Sequence, residues 1–161
     1  MDHPFQIREK IPSDDTWITN IATQMWGSVE IISKNHLYNI LSLDTLVGVS
    51  EGKSIGFITY VIEGKECEIV ALYCEITKQG LGTILIDRVK ETAKKDGCNK
   101  VWLMTTNDNT EALRFYQKRG FAITTIRINE IEKQRKIKPS MPILGNDGIP
   151  IRDEIELKFL L

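Results

Sequence analysis

The sequence predicts an α/β (α+β) chain built on a mixed sheet, with an antiparallel front half and a crossover behind. Three observations predict it. Short apolar runs with period-two character recur between Phe5 and Cys74 and are separated by Gly-containing polar turns, the pattern of strands joined by hairpins. From Leu81 the apolar residues move to helical spacing, a change of period that marks an amphipathic helix. A strand–helix–strand–helix–strand succession then follows, and parallel strands need such a helical crossover.

Taken in order, Phe5-Gln6-Ile7-Arg8 alternates apolar and polar residues like a first strand. Ser13-Asp14-Asp15 offers an N-cap for a helix carrying Trp17, Ile18, Ile21, Ala22 and Met25. Residues 28–42 are read as a second short helix and a loop. Thr45 to Val49 forms the second strand, Glu51-Gly52-Lys53 a turn, and Ile55 to Ile62 the third strand. Glu63-Gly64-Lys65 turns the chain into a fourth strand, Glu68 to Cys74. Leu81, Ile84, Leu85, Val89 and Ala93 define the next helix, with Gly97 at its carboxyl end. Lys100 to Thr105 is a strand, and Asn107-Asp108-Asn109 supplies caps for a helix running to Lys118 and ended by Gly120. Phe121 to Ile128 and Ile155 to Leu160 complete the strands.

Length and composition limit the function classes. At 161 residues the chain reads as a single domain, residues 1–161, large enough to bury a core. Lys and Arg number 21 against 22 Asp and Glu, so the basic excess of a nucleic-acid binder is missing. No apolar run approaches the ~18 residues of a membrane helix. The start, Met1-Asp2-His3-Pro4, has no charged and apolar leader pattern. Cys67, Cys74 and Cys98 lack metal or disulfide spacing, and His3 and His36 are far apart. The expectation is a cytoplasmic protein with no metal, no membrane and no nucleic-acid partner.

The stretch from Glu68 to Thr83 carries the chemistry. A strand ends in the polar loop Glu75-Ile76-Thr77-Lys78-Gln79, and Gly80-Leu81-Gly82-Thr83 then opens a helix. Unpaired amides and a positive dipole end gather at such a start, and glycines let an anion approach the backbone closely. A nucleotide P-loop is excluded because no lysine follows Gly82, and a dinucleotide fingerprint is excluded because Leu85 stands where a small residue is needed. Taken alone, the turn is equally well a helix start with no ligand.

A second stretch decides between these readings. Asn109-Thr110-Glu111-Ala112-Leu113-Arg114-Phe115-Tyr116-Gln117-Lys118-Arg119-Gly120-Phe121 resembles the Asn-x-x-Ala-x-x-x-Tyr-x-x-x-Gly-Phe signature of the GNAT superfamily of N-acetyltransferases. The Gly80-x-Gly82 turn resembles that family's Arg/Gln-x-x-Gly-x-Gly/Ala loop, in the right order and with a helix and a strand between. The likeness spans roughly residues 53 to 129. It departs in one place, where Thr77 occupies the Arg/Gln position beside Lys78 and Gln79.

The resemblance implies a mostly antiparallel, six- to seven-stranded sheet flanked by helices and splayed between its fourth and fifth strands. It implies acetyl-CoA as co-substrate, with the pantetheine arm against the main chain of Leu72, Tyr73 and Cys74. The diphosphate would rest on the amides of Gln79, Gly80, Leu81, Gly82 and Thr83, with Lys78 beside them. Asn109 would contact the pantetheine arm, although it also reads as a helix N-cap. Ala112 and Phe115 would line the cofactor wall.

Tyr116 matches the tyrosine beside the CoA sulfur, an acid or hydrogen-bond donor to the departing thiolate. A phenol of pKa ~10 suits a thiolate of pKa ~8.5. Glu68 resembles the base glutamate of histone-type members, and strand alternation puts it on one face with Val70, Leu72 and Cys74. Such a base is needed because only ~1 in 1,000 of a lysine-like amine is neutral at pH 7. Glu75 is a second candidate, and Glu68 also reads as a charge at a strand start. Cys74 reads as a small buried hydrophobe.

The implied reaction is direct transfer of an acetyl group to a primary amine, the alternative being a non-catalytic acyl-CoA-binding or sensing module. The acceptor would be a small molecule or a peptide amine. Residues 26–44, with Trp26, His36 and Tyr38, would line its site. A long connection, residues 130–153, would wall that site or pack on the second subunit of a homodimer. Its basic cluster, Lys133, Arg135, Lys136 and Lys138, reads as an attractor for an anionic acceptor or as a solvated face.

Overall fold

The computed structural model describes residues 4–161; the amino-terminal reading that includes His3 lies outside the described residues. The chain order is β1 (Gln6–Glu9), α1 (Asp14–Trp26), β2 (Glu30–Ser33), β3 (His36–Asn39), β4 (Asp44–Ser50), β5 (Lys53–Glu63) and β6 (Glu66–Cys74). It continues with α2 (Leu81–Lys95), β7 (Lys100–Thr106), α3 (Thr110–Lys118), β8 (Ala122–Arg127), α4 (Glu130–Ile137) and β9 (Glu154–Leu160). Seven strands form one sheet in the order β1-β4-β5-β6-β7-β9-β8. All neighbours are antiparallel except β6 and β7, which run parallel across the α2 crossover. No described helix is long and apolar enough to cross a membrane.

Helices cover both faces. Leu81, Leu85, Ile86, Val89 and Ala93 of α2 and Tyr116 of α3 share one core with Cys67, Ile69, Val101 and Leu157 of the sheet. Ile18 and Ala22 of α1 share the opposite core with Val47, Phe57 and Ala71. The start of α2 is drawn tightly onto the sheet. A Cβ at Gly48 or Gly56 would lie 2.6 or 2.7 Å from a Leu81 methyl carbon, so the two glycines make the seat for that buried side chain.

Three sequence expectations are corrected here. Residues 28–42 form a β-hairpin followed by a short 3-10 turn at Ile40–Ser42, where a helix was expected. Its two-residue turn, Lys34-Asn35, has both φ angles positive, at 46° and 63°, the geometry that fits the twist of paired strands. Ser13 precedes α1 but makes no side-chain cap. Asp14 serves that end instead, accepting from the Ile11 amide at 2.8 Å and pairing with Arg8 at 2.7 Å. The 130–153 connection contains α4, whose Ile131 and Gln134 are buried.

Two features of β6 set up the functional region. Its pairing with β7 runs from Glu66–Lys100 to Ile69–Leu103 and then stops, although the strands continue to Cys74 and Thr106. β7 stays paired to β9 along its length, so the sheet splays open at β6. The second feature is a bulge. Thr59 pairs with Ala71 and Tyr60 with Ile69, leaving Val70 without a partner on β5. One extra residue reverses the facing of everything beyond it.

Candidate acyl-transfer site

A groove of about 540 Å3 runs between the start of α2 and the face of α3. Of the residues singled out from the sequence, Leu72, Cys74, Lys78, Gly80, Leu81, Gly82, Thr83, Asn109, Ala112, Phe115 and Tyr116 line it. Tyr73 and Gln79 do not. Tyr73 turns to the α1 side, where its ring packs on Phe57 and Trp17, which leaves only its main chain for the role expected of it. Ile76, Thr77, Glu111, Arg114, Lys118 and Arg119 also line the groove, and of these only Thr77 was singled out from the sequence. Lys78, Arg114, Lys118 and Arg119 set four cations against the single carboxylate of Glu111, a field suited to a polyanion.

The groove's end is built by backbone geometry. Gly80 caps α2 at φ 88°, a left-handed conformation that favours glycine. The first intrahelical bond runs from Ile84 to the Gly80 carbonyl, so the amides of Leu81, Gly82 and Thr83 have no partner inside the helix. No acidic side chain occupies the first turn. A Cβ on Gly82 would lie 2.9 Å from the Phe115 ring and 3.6 Å from Cys74 Sγ, so glycine keeps the groove floor clear. Lys78 also sits in the left-handed region, at φ 63°, a conformation that costs a non-glycine residue on the order of 1 kcal/mol. Lys78→Gly is therefore expected to raise stability without ligand by up to about 1 kcal/mol, read from urea unfolding. A loss of stability would show that the lysine side chain holds the loop.

Asn109 caps α3, its Oδ1 accepting from the Ala112 amide at 3.2 Å. That use leaves its amide NH2 free to donate into the groove. Tyr116 is 8 % exposed, and its ring is held edge-on by Phe115 at 5.2 Å and Phe121 at 5.5 Å. Among the described residues its hydroxyl has no hydrogen-bond partner. Burial raises its pKa, the Cys74 thiol adds to the rise, and Arg119 partly opposes it. The phenol is therefore kept protonated. Burial likewise pushes the Cys74 thiol up to about 11, which makes it inert as a nucleophile at neutral pH.

Glu68 lies on the other face. The Val70 bulge separates it from Leu72 and Cys74, correcting the simple alternation expected from sequence. It is 4 % exposed beneath the β2–β3 hairpin. The Ser33 hydroxyl donates a short hydrogen bond to Oε1, and the Tyr38 hydroxyl donates to Oε2 at 2.9 Å. Burial raises its pKa above the usual carboxylate range, and the two hydroxyls and the Lys34 charge offset part of that rise. A small cavity of about 40 Å3 adjoins it, lined by Val61, Glu63, Glu66 and Trp102, large enough for a water molecule. Glu75 is placed elsewhere, paired with Lys53 at 3.0 Å.

The 130–153 connection closes on this same face. Gln134 donates to Glu154 Oε2 at 2.7 Å, and the Lys138 ammonium donates to the Trp26 carbonyl at 3.0 Å and the Glu30 carbonyl at 2.6 Å. The basic cluster does not form one face. Lys138 is buried, Arg135 binds the Pro142 and Ile151 carbonyls, and Lys133 pairs with Glu130. It offers no common seat for an anionic acceptor.

A model of the Acetyltransferase (GNAT) family matches residues 16–121, more than half of the chain. The protein belongs to the GNAT family. Bacillus subtilis (strain 168) has a relative, the uncharacterized protein YdhI, 42% identical over 139 residues that span 86% of this chain and 87% of YdhI. Among solved structures, an IAA acetyltransferase from Bacillus cereus ATCC 14579 superposes with a TM-score of 0.74 at 24% identity, covering 98% and 99% of the two chains. A GNAT family acetyltransferase from Elizabethkingia anophelis, solved with acetyl-CoA bound, superposes with a TM-score of 0.72 at 23% identity, covering 99% and 100%. The GNAT fold thus extends over nearly the whole chain, well past the motifs that suggested it.

Proposed function

We propose that this GNAT protein transfers an acetyl group from acetyl-CoA to a primary amine by direct attack. The observation that carries the reading is the meeting of the splayed β6–β7 edge with the glycine-floored groove, with the protonated phenol of Tyr116 on its wall. The unpaired amides at the start of α2 suit a diphosphate. Leu72 to Cys74 pair with β5 on one edge and have no β7 partner on the other. That open edge suits the amide groups of a pantetheine arm, which would bring the thioester to the gap. Asn109, Ala112 and Phe115 bound the arm on the α3 side. A GNAT relative of this fold is described with acetyl-CoA bound, which fits the same use here.

In this reaction the neutral amine nitrogen attacks the thioester carbonyl carbon, the carbon–sulfur bond breaks and the thiolate leaves. The nitrogen sheds one further proton as the amide forms, and that proton ends on the departing sulfur to give the CoA thiol. Tyr116 stabilises that thiolate by donating a hydrogen bond. Its pKa is raised, so it shares its proton more readily than it gives it up. The amine arrives from the hairpin face as an ammonium and must lose a proton first. Glu68 takes it through a water in the adjoining cavity, and its raised pKa makes it a better base than an ordinary glutamate.

Two measurements test the reading. Acetyl-CoA with a panel of polyamines, amino acids, peptides and antibiotic amines should release free thiol. CoA at 100 times its Kd should stabilise the chain by ~2.7 kcal/mol, seen as a rise in Tm. Stabilisation without thiol release across the panel would favour a non-catalytic acyl-CoA-binding module. Neither effect would end the acyl-CoA reading.

A further inference from the structure

We infer that Arg119 is a diphosphate-binding side chain of this groove, supplying the charged contact that Thr77 does not make. The inference rests on the acyl-CoA reading of the site. Arg119 follows the last residue of α3 and stands four positions beyond Phe115, which places the two on one side of the helix. Its guanidinium lies over the Phe115 ring, 3.5 Å from the centroid. Nε donates to Thr83 Oγ1 at 2.8 Å, and Nη1 donates to the Phe115 carbonyl at 2.8 Å. Thr83 belongs to the first turn of α2. Three contacts therefore hold a cation against the very turn whose amides are unpaired.

Neither positive feature is neutralised by the protein. Arg119 pairs with no carboxylate among the described residues, and the first turn of α2 carries no acidic side chain. The field of Arg119 reaches the groove floor, where it opposes the rise in pKa that burial imposes on Cys74 and Tyr116. Two of the five guanidinium N–H groups are used within the protein, and Nη2 is free. A planar fork already fixed in place binds a phosphate with little further ordering. An anion seated between Nη2 and the α2 amides satisfies both at once. Thr77 also lines the groove, but its side chain is neutral and short, whereas Arg119 brings a fixed positive charge to the start of α2 from the end of α3.

Calorimetry on the full chain tests this with three ligands, CoA, 3′-dephospho-CoA and pantetheine, against wild type and Arg119→Gln. The amide of that variant keeps a donor for Thr83 and removes the charge. The expected result is binding at least about tenfold weaker for CoA and 3′-dephospho-CoA alike, with pantetheine unchanged. Adding Thr77→Arg to Arg119→Gln should recover most of the lost affinity. Equal affinities for wild type and variant overturn the inference. So does a loss confined to CoA, which would place Arg119 on the 3′-phosphate. A loss shared by pantetheine, or a fall in Tm that accounts for the weakening, would make the residue a support of the groove wall. Wild type that fails to bind CoA would instead remove the acyl-CoA reading beneath it.

Discussion

Tyr116→Phe is expected to lower kcat for acetyl transfer by about 100-fold or more, the low end of what a positioned proton donor contributes, while CoA affinity and Tm stay unchanged. The change removes one oxygen. The ring keeps its contacts with Phe115 and Phe121, and the hydroxyl forms no hydrogen bond within the described protein, so folding loses no bond. A truncation to alanine would instead open a cavity and confuse rate with stability. The lost term is a hydrogen bond made only as negative charge builds on sulfur, so it falls on kcat and not on ground-state binding. Steady-state kinetics with calorimetric Kd values for CoA would check it. A variant with wild-type turnover removes Tyr116 from the chemistry. Equal losses in affinity and rate would assign it to the groove wall.

Glu68→Gln is expected to reduce turnover at neutral pH by about 100-fold, in line with the loss of a general base, and to abolish the acid limb of the pH–rate profile. The wild-type limb should lie above the ordinary carboxylate range, because burial raises the Glu68 pKa. Activity therefore rises with pH as the carboxylate forms. Stability moves the other way. A carboxyl group with a raised folded pKa is most favourable while protonated, and its contribution is lost as pH rises through that value. Glu68→Gln should thus remove a decline in Tm across that window. It should not cost stability at neutral pH, since one of the Ser33 and Tyr38 hydroxyls can still donate to the Gln oxygen while the other turns to accept from its NH2. An unchanged acid limb in the variant would assign the titration to another group and leave Glu68 a buried structural acid.

Much of the fold was legible because it depends on local pattern. The strands from Thr45 to Cys74 alternate and are divided by Gly-containing turns, and α2 repeats apolar residues over four turns. The hairpin at Glu30–Asn39 carries little local signal. Each of its strands has four residues, and its turn is Lys-Asn, without the glycine that marks such turns. The α4 helix was missed because its residues are strongly polar, and only Ile131 and Gln134 are buried. In the groove, Arg119 lies inside the α3 signature at a position which that signature leaves unspecified. Its spacing of four from Phe115 was the available signal, but its approach to Thr83 joins residues 36 positions apart.

The sequence by itself determined the period of each long element, the glycines at Gly80 and Gly82, the α3 signature and the family these imply. Each is a property of neighbouring residues, because backbone conformation and amphipathic spacing act over a few positions. Only the tertiary structure decided which face Glu68 occupies, since a single unpartnered residue, Val70, reverses the strand beyond it. It alone brought Ser33 and Tyr38 onto that carboxylate and set Arg119 against the start of α2. Those arrangements depend on strand register and helix packing, where distant segments meet and no local spacing records the outcome.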